Sequence, residues 1–163
     1  MINNSTDKLT ETAPIIERRQ DAMVSVVDNK IYLIGGYQGS VFLASCEVYD
    51  IEGNNWDFVS PMPRPRYQAG CAVLNRKIYV CGGWGDDGQA LATVECYDVT
   101  TDTWSCVASL PTPSAARSSS IMFPRKQIEK LLKKQRGKSD VEKTVSCAHL
   151  LPQGYDGRLA GAS

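Results

Sequence analysis

Histidine is almost absent from this chain. His149 is the only one in 163 residues, so chemistry built on an imidazole base, relay or ligand set has a single candidate. "CAH" at 147–149 offers two metal-ligating side chains and no third or fourth, short of a zinc site. The six cysteines include no C-x-x-C pair. No nucleophile elbow, P-loop or dinucleotide-binding glycine motif occurs. "GDDG" at 85–88 lacks the ligand spacing of a calcium loop. No run of 18 apolar residues exists, so no membrane-spanning helix is expected. "MINNSTDKLTE" carries neither the basic nor the apolar region of a signal peptide. Together these absences lead us to expect no enzyme, no cofactor, no metal and no membrane partner.

Charge of one sign is not in excess either. Lys+Arg and Asp+Glu are both 18. The balance is uneven along the chain, however. Residues 1–123 carry 9 basic and 14 acidic side chains, a net of −5, and residues 124–163 carry 9 and 4, a net of +5. Such a division points to two segments of different character. The acidic part gives no reason to expect nucleic acid binding. Most cysteines lie in apolar stretches such as "IYVCGG" and "AGCAVL", where a free thiol acts as a small hydrophobe. With no secretory signal, unpaired thiols and a cytoplasmic location are expected.

What the chain does contain is a repeat. "KIYLIGG" at 30–36 returns as "KIYVCGG" at 77–83, 47 positions on. Arg19 precedes Gly35 by 16 residues, and Arg66 precedes Gly82 by 16. Gly35–Gly36 align with Gly82–Gly83, Glu47 with Glu95, Tyr49 with Tyr97, and Trp56 with Trp104. Met62 and Leu110, each before or beside a proline, close the two copies. One additional residue in the second glycine-rich loop shifts the spacing to 48. Each copy holds four candidate strands, rich in Val, Ile, Tyr and Cys and parted by turn residues. In the first copy these are "DAMVSVV", "KIYLIGG", "SCEVYDI" and "WDFVS"; in the second, "QAGCAVL", "KIYVCGG", "TVECYDV" and "WSCVAS". "DN" and "NR" join the first two strands as tight hairpins. The first two strands, apolar almost throughout, are expected to be covered on both faces. Four antiparallel strands in about 45 residues, repeated, describe blades of a β-propeller.

The double glycine, Glu-x-Tyr-Asp, spaced Trp and closing Pro resemble the kelch repeat, and more particularly the kelch-like family in which such blades follow a BTB domain. The expected fold is all-β, a partial kelch propeller of two complete four-stranded antiparallel blades plus stubs of neighbouring blades. Residues 1–17 are read as the last strand of a preceding blade, with Pro14 and Arg19 in the places of Pro61 and Arg66. Residues 18–63 and 64–111 are the whole blades. Residues 112–123 open a following blade, with Arg117 continuing the arginine series, and residues 124–163 form a basic helical and disordered tail. "PRKQIEKLLKKQRGK" at 124–138 has seven basic residues against Glu129, and fits a nuclear signal, a partner-helix motif or a solvated helix.

Gly35, Gly36, Glu47, Tyr49, Trp56, Gly82, Gly83, Glu95, Tyr97 and Trp104 read as framework. A glutamate on a packed strand needs a partner, and Arg19 and Arg66 are the candidates. Recognition belongs to the loops. Tyr37 and Trp84, each directly after a double glycine, either cover the blade edge or face a ligand pocket, as the resemblance implies. The resemblance adds Arg64 and Arg66 as partner-binding arginines. It implies a protein partner, either a ubiquitylation target of a cullin-based ligase or a cytoskeletal protein such as actin. With no BTB segment in the sequence, bridging to a ligase is open. Two blades alone leave two faces bare, which leaves three readings: a truncated product of a longer kelch protein, favoured because the pattern breaks off in mid-blade at both ends; a ring completed by other chains; or a tail that covers one face.

Overall fold

The computed structural model describes residues 11–114 together with Lys126, Glu129 and Lys130. Two four-stranded antiparallel sheets carry the fold, one from each copy of the repeat. The first takes β1 (Met23–Val27), β2 (Lys30–Ile34), β5 (Cys46–Asp50) and β6 (Asn55–Val59). The second takes β8 (Gly70–Leu74), β9 (Lys77–Cys81), β11 (Thr93–Asp98) and β12 (Thr103–Ser109). Neighbours in sequence are neighbours in each sheet, a meander with β1 and β8 at corresponding edges. Two short pairs add to this: β3 (Tyr37–Gln38) with β4 (Val41–Phe42), and β7 (Arg66–Tyr67) with β10 (Trp84–Gly85). The all-β fold of partial propeller blades is thus the observed one.

Local sequence explains the turns. Asp28 and Asn29 have φ of 49° and 61°, and Asn75 and Arg76 have 52° and 58°. Two successive positive φ values make the primed hairpin turn whose twist matches the flanking strands. The register then falls into place, with Met23 opposite Ile34 and Gly70 opposite Cys81.

Period-2 alternation sends one face of β1 inward. Met23, Ser25 and Val27 are buried, whereas Val24 and Val26 are exposed. The inward face joins Tyr32, Ile34 and Cys46 against Ala69, Cys71, Ile78, Val80 and Tyr97 of the second sheet. This is the inter-blade core, and its burial is the main force holding the two sheets together. Ser25 Oγ donates to Cys71 Sγ at 3.3 Å, and Cys71 Sγ donates to the Val24 carbonyl at 3.2 Å, so β1 and β8 meet directly. The opposite face of the first sheet leaves Val24, Val26 and Phe58 more than half exposed. Here the expectation of strands covered on both faces is corrected for the first copy, because no second sheet lies on that side among the described residues; in the second copy β8 and β9 are buried on both faces apart from Val73 and Lys77.

A clasp at the outer strand repeats with the sequence. Trp104 Nε1 donates to the Ser60 carbonyl at 2.8 Å, and the Ser60 N–H donates to Asp102 Oδ1, which also accepts from the Tyr97 hydroxyl. In the first copy Trp56 Nε1 donates to the Ala13 carbonyl at 3.0 Å, and Asn54 Oδ1 accepts from the Ala13 N–H and the Tyr49 hydroxyl. Ala13 therefore stands where Ser60 stands one blade later. Residues 11–15 carry no strand, although they occupy the place assigned to the end of a preceding one. Residues 1–10 lie outside the described residues.

Asp102 invites a prediction. Burial pushes its carboxyl up, and the bonds from Tyr97 and Ser60 together outweigh this and hold it below its ordinary value. Its stabilising contribution is complete above the unfolded carboxylate range and is lost as pH falls through the lowered folded value. Asn54 performs the same task without charge. Asp102→Asn should therefore melt like wild type at neutral pH, with less acid sensitivity. Asp102→Ala should lose about 1–2 kcal/mol, since two donors lose their acceptor. Thermal melts at pH 7 and pH 3.5 check both.

At the other end Ser114 takes the backbone place of Arg66. The Gly83 N–H donates to the Ser114 carbonyl at 2.8 Å as the Gly36 N–H does to Arg66 at 2.9 Å. Because the longer second loop moves the register by one, the arginine series passes through Ser114 and not through Arg117. Residues 115–123, read as a further strand, lie outside the described residues. So does most of the tail, where Lys126, Glu129 and Lys130 are helical. Cys46, Cys71, Cys81 and Cys96 are free and buried, and burial pushes the Cys46 and Cys81 thiols up to about 12. Cys106 lies half-buried on the outermost strand, β12.

Candidate interaction face

Each double glycine brings the connection into the next blade against the end of a central strand. Gly35 and Gly36 have φ of 59° and 96°, Gly82 and Gly83 of 65° and 90°. Arg66 N–H donates to the Leu43 carbonyl, and Ser114 N–H to that of Leu91. The chain direction set here carries Tyr37 and Trp84 out of the blades and onto the loop face.

On that face aromatic side chains collect. Phe42 stacks on Tyr67 with ring centroids 5.3 Å apart and planes 15° from parallel. Tyr37 meets the same Tyr67 edge-on at 5.4 Å. Trp84 pairs with Tyr67 across β7 and β10. Tyr37, Phe42, Tyr67 and Trp84 are all half-buried, so each ring keeps surface open to solvent. Offset and edge-on contacts of this kind orient the Tyr37, Phe42 and Tyr67 rings, while Trp84 is placed beside Tyr67 by the backbone pairing. Of these, Tyr37 and Trp84 are legible from their position after the glycines. Phe42 and Tyr67 are not, because their counterparts in the other copy are Ala90 and Gln20, and comparing the repeats hides them.

The two loop arginines part company. Arg64 is tucked beneath the 84–88 loop, its Nη2 3.1 Å from Asp86 Oδ1 and 2.6 Å from Asp87 Oδ2. Arg66 is 0% exposed. Its Nη2 lies 2.6 Å from Glu95 Oε1 and donates to Thr93 Oγ1, and its Nη1 donates to the Gly82 carbonyl. In the first copy Arg19 makes the matching set with Glu47, Ser45 Oγ and the Gly35 carbonyl. The reading of Arg66 as a partner-binding residue is corrected: its guanidinium is enclosed, with Nη1 and Nη2 held inside the blade and Nε buried beside them without a partner. The pairing of both glutamates with these arginines, by contrast, is what their burial demands.

The two pairs differ in one respect. Glu47 Oε2 accepts from the Ile16 N–H at 2.8 Å. Its equivalent, Glu95 Oε2, is buried without a partner. Pro63 stands in the place of Ile16, and proline has no N–H to give. Burial pushes Glu95 up from the ordinary carboxylate range and Arg66 down, with the ion contact between them opposing both.

Tyr49 and Trp56 lie 5.0 Å apart between ring centroids, Tyr97 and Trp104 5.1 Å, at nearly equal tilts. Each pair packs within its own blade. Among the described residues no group of three side chains is placed to hold a metal, and no helix is long and apolar enough to cross a membrane.

Comparison with known proteins agrees with this geometry. The kelch motif matches residues 18–63 and 65–111. The chain is 35% identical over 88 residues to human Kelch-like protein 33, covering 54% of this chain and 16% of that one. It is 38% identical over 80 residues to Kelch-like protein 7 of Rattus norvegicus, covering 49% and 14%. It is 32% identical over 82 residues to Kelch repeat and BTB domain-containing protein 2 of Ectromelia virus, covering 50% and 15%. The chain thus spans about a sixth of the length of the relatives it matches. With two matched motifs over more than half its residues, and a repeated Arg–Glu, Tyr–Trp and double-glycine framework, this chain belongs to the kelch family.

Proposed function

We propose that the chain is a protein-interaction module that captures its partner on the loop face around Tyr37, Tyr67 and Trp84. The observation that carries this is the row of half-open aromatic rings held in place by two rigid blades, since rigid aromatics dominate interface energetics. The finer reading is target recognition of the type served by BTB-kelch adaptors of cullin-RING ubiquitin ligases, supported by the kelch-like and BTB names of its relatives. We place this activity in the cytoplasm, with the basic 124–138 segment as a candidate signal for the nucleus. The bare face bearing Val24, Val26 and Phe58 is suited to a further kelch-type sheet, supplied by the remainder of a propeller or by another chain.

The double variant Tyr37→Ala/Trp84→Ala tests the reading. Its thermal melt should stay within a few degrees of wild type, because both rings are half-open. Capture of crosslinked partner proteins should fall roughly tenfold, as for central aromatic anchors. Equal capture by variant and wild type overturns the face. Chain-dependent ubiquitylation of the captured protein supports the ligase reading, and co-sedimentation with F-actin replaces it with the cytoskeletal one.

A further inference from the structure

The sign of the charge on this face differs from what its two arginines suggest. Asp86 Oδ1 accepts from both Nε and Nη2 of Arg64, at 3.2 and 3.1 Å, and Asp87 adds the contact on Nη2. The Arg64 side chain is 7% exposed, against 32% for Asp86 and 46% for Asp87. Gly85 permits this burial, for a Cβ there would lie 3.0 Å from Nη2. What a partner meets is therefore carboxylate, with the guanidinium beneath it. Arg66 contributes nothing outward, being enclosed with Glu95. Asp21 adds a further carboxylate, which accepts from Gln68 Nε2 at 2.6 Å, Gln68 following Tyr67 in sequence. Arg18, two residues before the Gln20–Tyr37 bridge at the first-blade end, is exposed. The second-blade end thus combines Trp84 and Tyr67 with two open aspartates.

Aromatic faces and nearby carboxylates both attract cations. We propose that this end of the loop face, formed by Tyr67, Trp84, Asp86 and Asp87, binds a lysine- or arginine-bearing segment of the partner protein. The proposal rests on the loop face being the interaction surface, and names the chemistry of what it takes.

Fluorescence anisotropy on the full chain tests it with two labelled peptides of equal length, one alternating Lys and Gly, the other Glu and Gly. The Lys peptide should bind, more weakly as salt rises, and the Glu peptide should not. Asp86→Asn/Asp87→Asn and Trp84→Ala should each weaken the Lys peptide by roughly tenfold. The remote pair Asp28→Asn/Asp57→Asn should leave it unchanged. Failure of the Lys peptide to bind, preference for the Glu peptide, or equal loss in the remote variant overturns the proposal. If the Glu peptide wins and Trp84→Ala still abolishes partner capture, the loop face stands and the assigned charge alone is wrong.

Discussion

Arg66→Ala is expected to cost about 3–5 kcal/mol, the scale of breaking a buried ion pair from one side. The substitution strands Glu95, which is 3% exposed and already has one oxygen without a donor. It also removes the donors to the Gly82 carbonyl and Thr93 Oγ1. Against a total stability of about 5–15 kcal/mol this is enough to open the second blade. Arg66→Lys should recover only part of the loss, because one ammonium cannot serve three acceptors set at the angles of a fork. The double variant Arg66→Met/Glu95→Leu should be milder than either single truncation, since no lone charge remains. Urea midpoints measure all three variants. A cost below about 1 kcal/mol for Arg66→Ala would show that solvent reaches the pair. Lost partner capture in Arg66→Ala would accordingly report unfolding.

Gly35→Ala should be comparably severe, and Gly39→Ala should not. The two glycines have nearly equal φ, 59° and 60°. An alanine in this left-handed region costs about 1–2 kcal/mol at either site. At Gly39 nothing lies within 4 Å of the added Cβ, whereas at Gly35 it would meet the Arg66 carbonyl oxygen at 2.4 Å and Met62 Cε at 2.7 Å. The methionine end can swing away. The carbonyl cannot, as it accepts the Gly36 N–H and belongs to the strand entering the second blade. We expect Gly35→Ala to exceed about 4 kcal/mol, the range of exceptional substitutions. Paired thermal melts settle it, and similar melting temperatures for the two variants would refute the close approach.

The blades were legible because their signals are local and doubled. Alternation, two-residue turns and the double glycine each act within a few residues, and the second copy confirms the first. The Arg–Glu pairing was legible from chemistry alone, for a glutamate beside packed strands has few ways to remain charged. Loop behaviour was much less so. Whether Arg64 and Arg66 face outward depends on what lies 22 and 29 residues further along, Asp86 and Glu95, and on whether a glycine leaves room at 85. Tyr67 and Phe42 become visible only when two blades stand side by side. The one-residue lengthening of the second loop was visible, yet its effect, placing Ser114 and not Arg117 opposite Gly83, emerges only from the backbone pairing.

The outer clasp has a consequence for how such proteins lengthen. Trp56 and Trp104 grip a carbonyl, and Asn54 and Asp102 grip an N–H, so the joint is made on the backbone of the gripped residue, with the Ser60 side chain adding a bond to Asp102 in the second copy. Alanine serves at one site and serine at the other. A duplicated unit would therefore still find its upstream neighbour after the two sequences had drifted, provided the tryptophan and the Asn or Asp were kept. Selection on the remaining surface is left free to diversify without loosening the array.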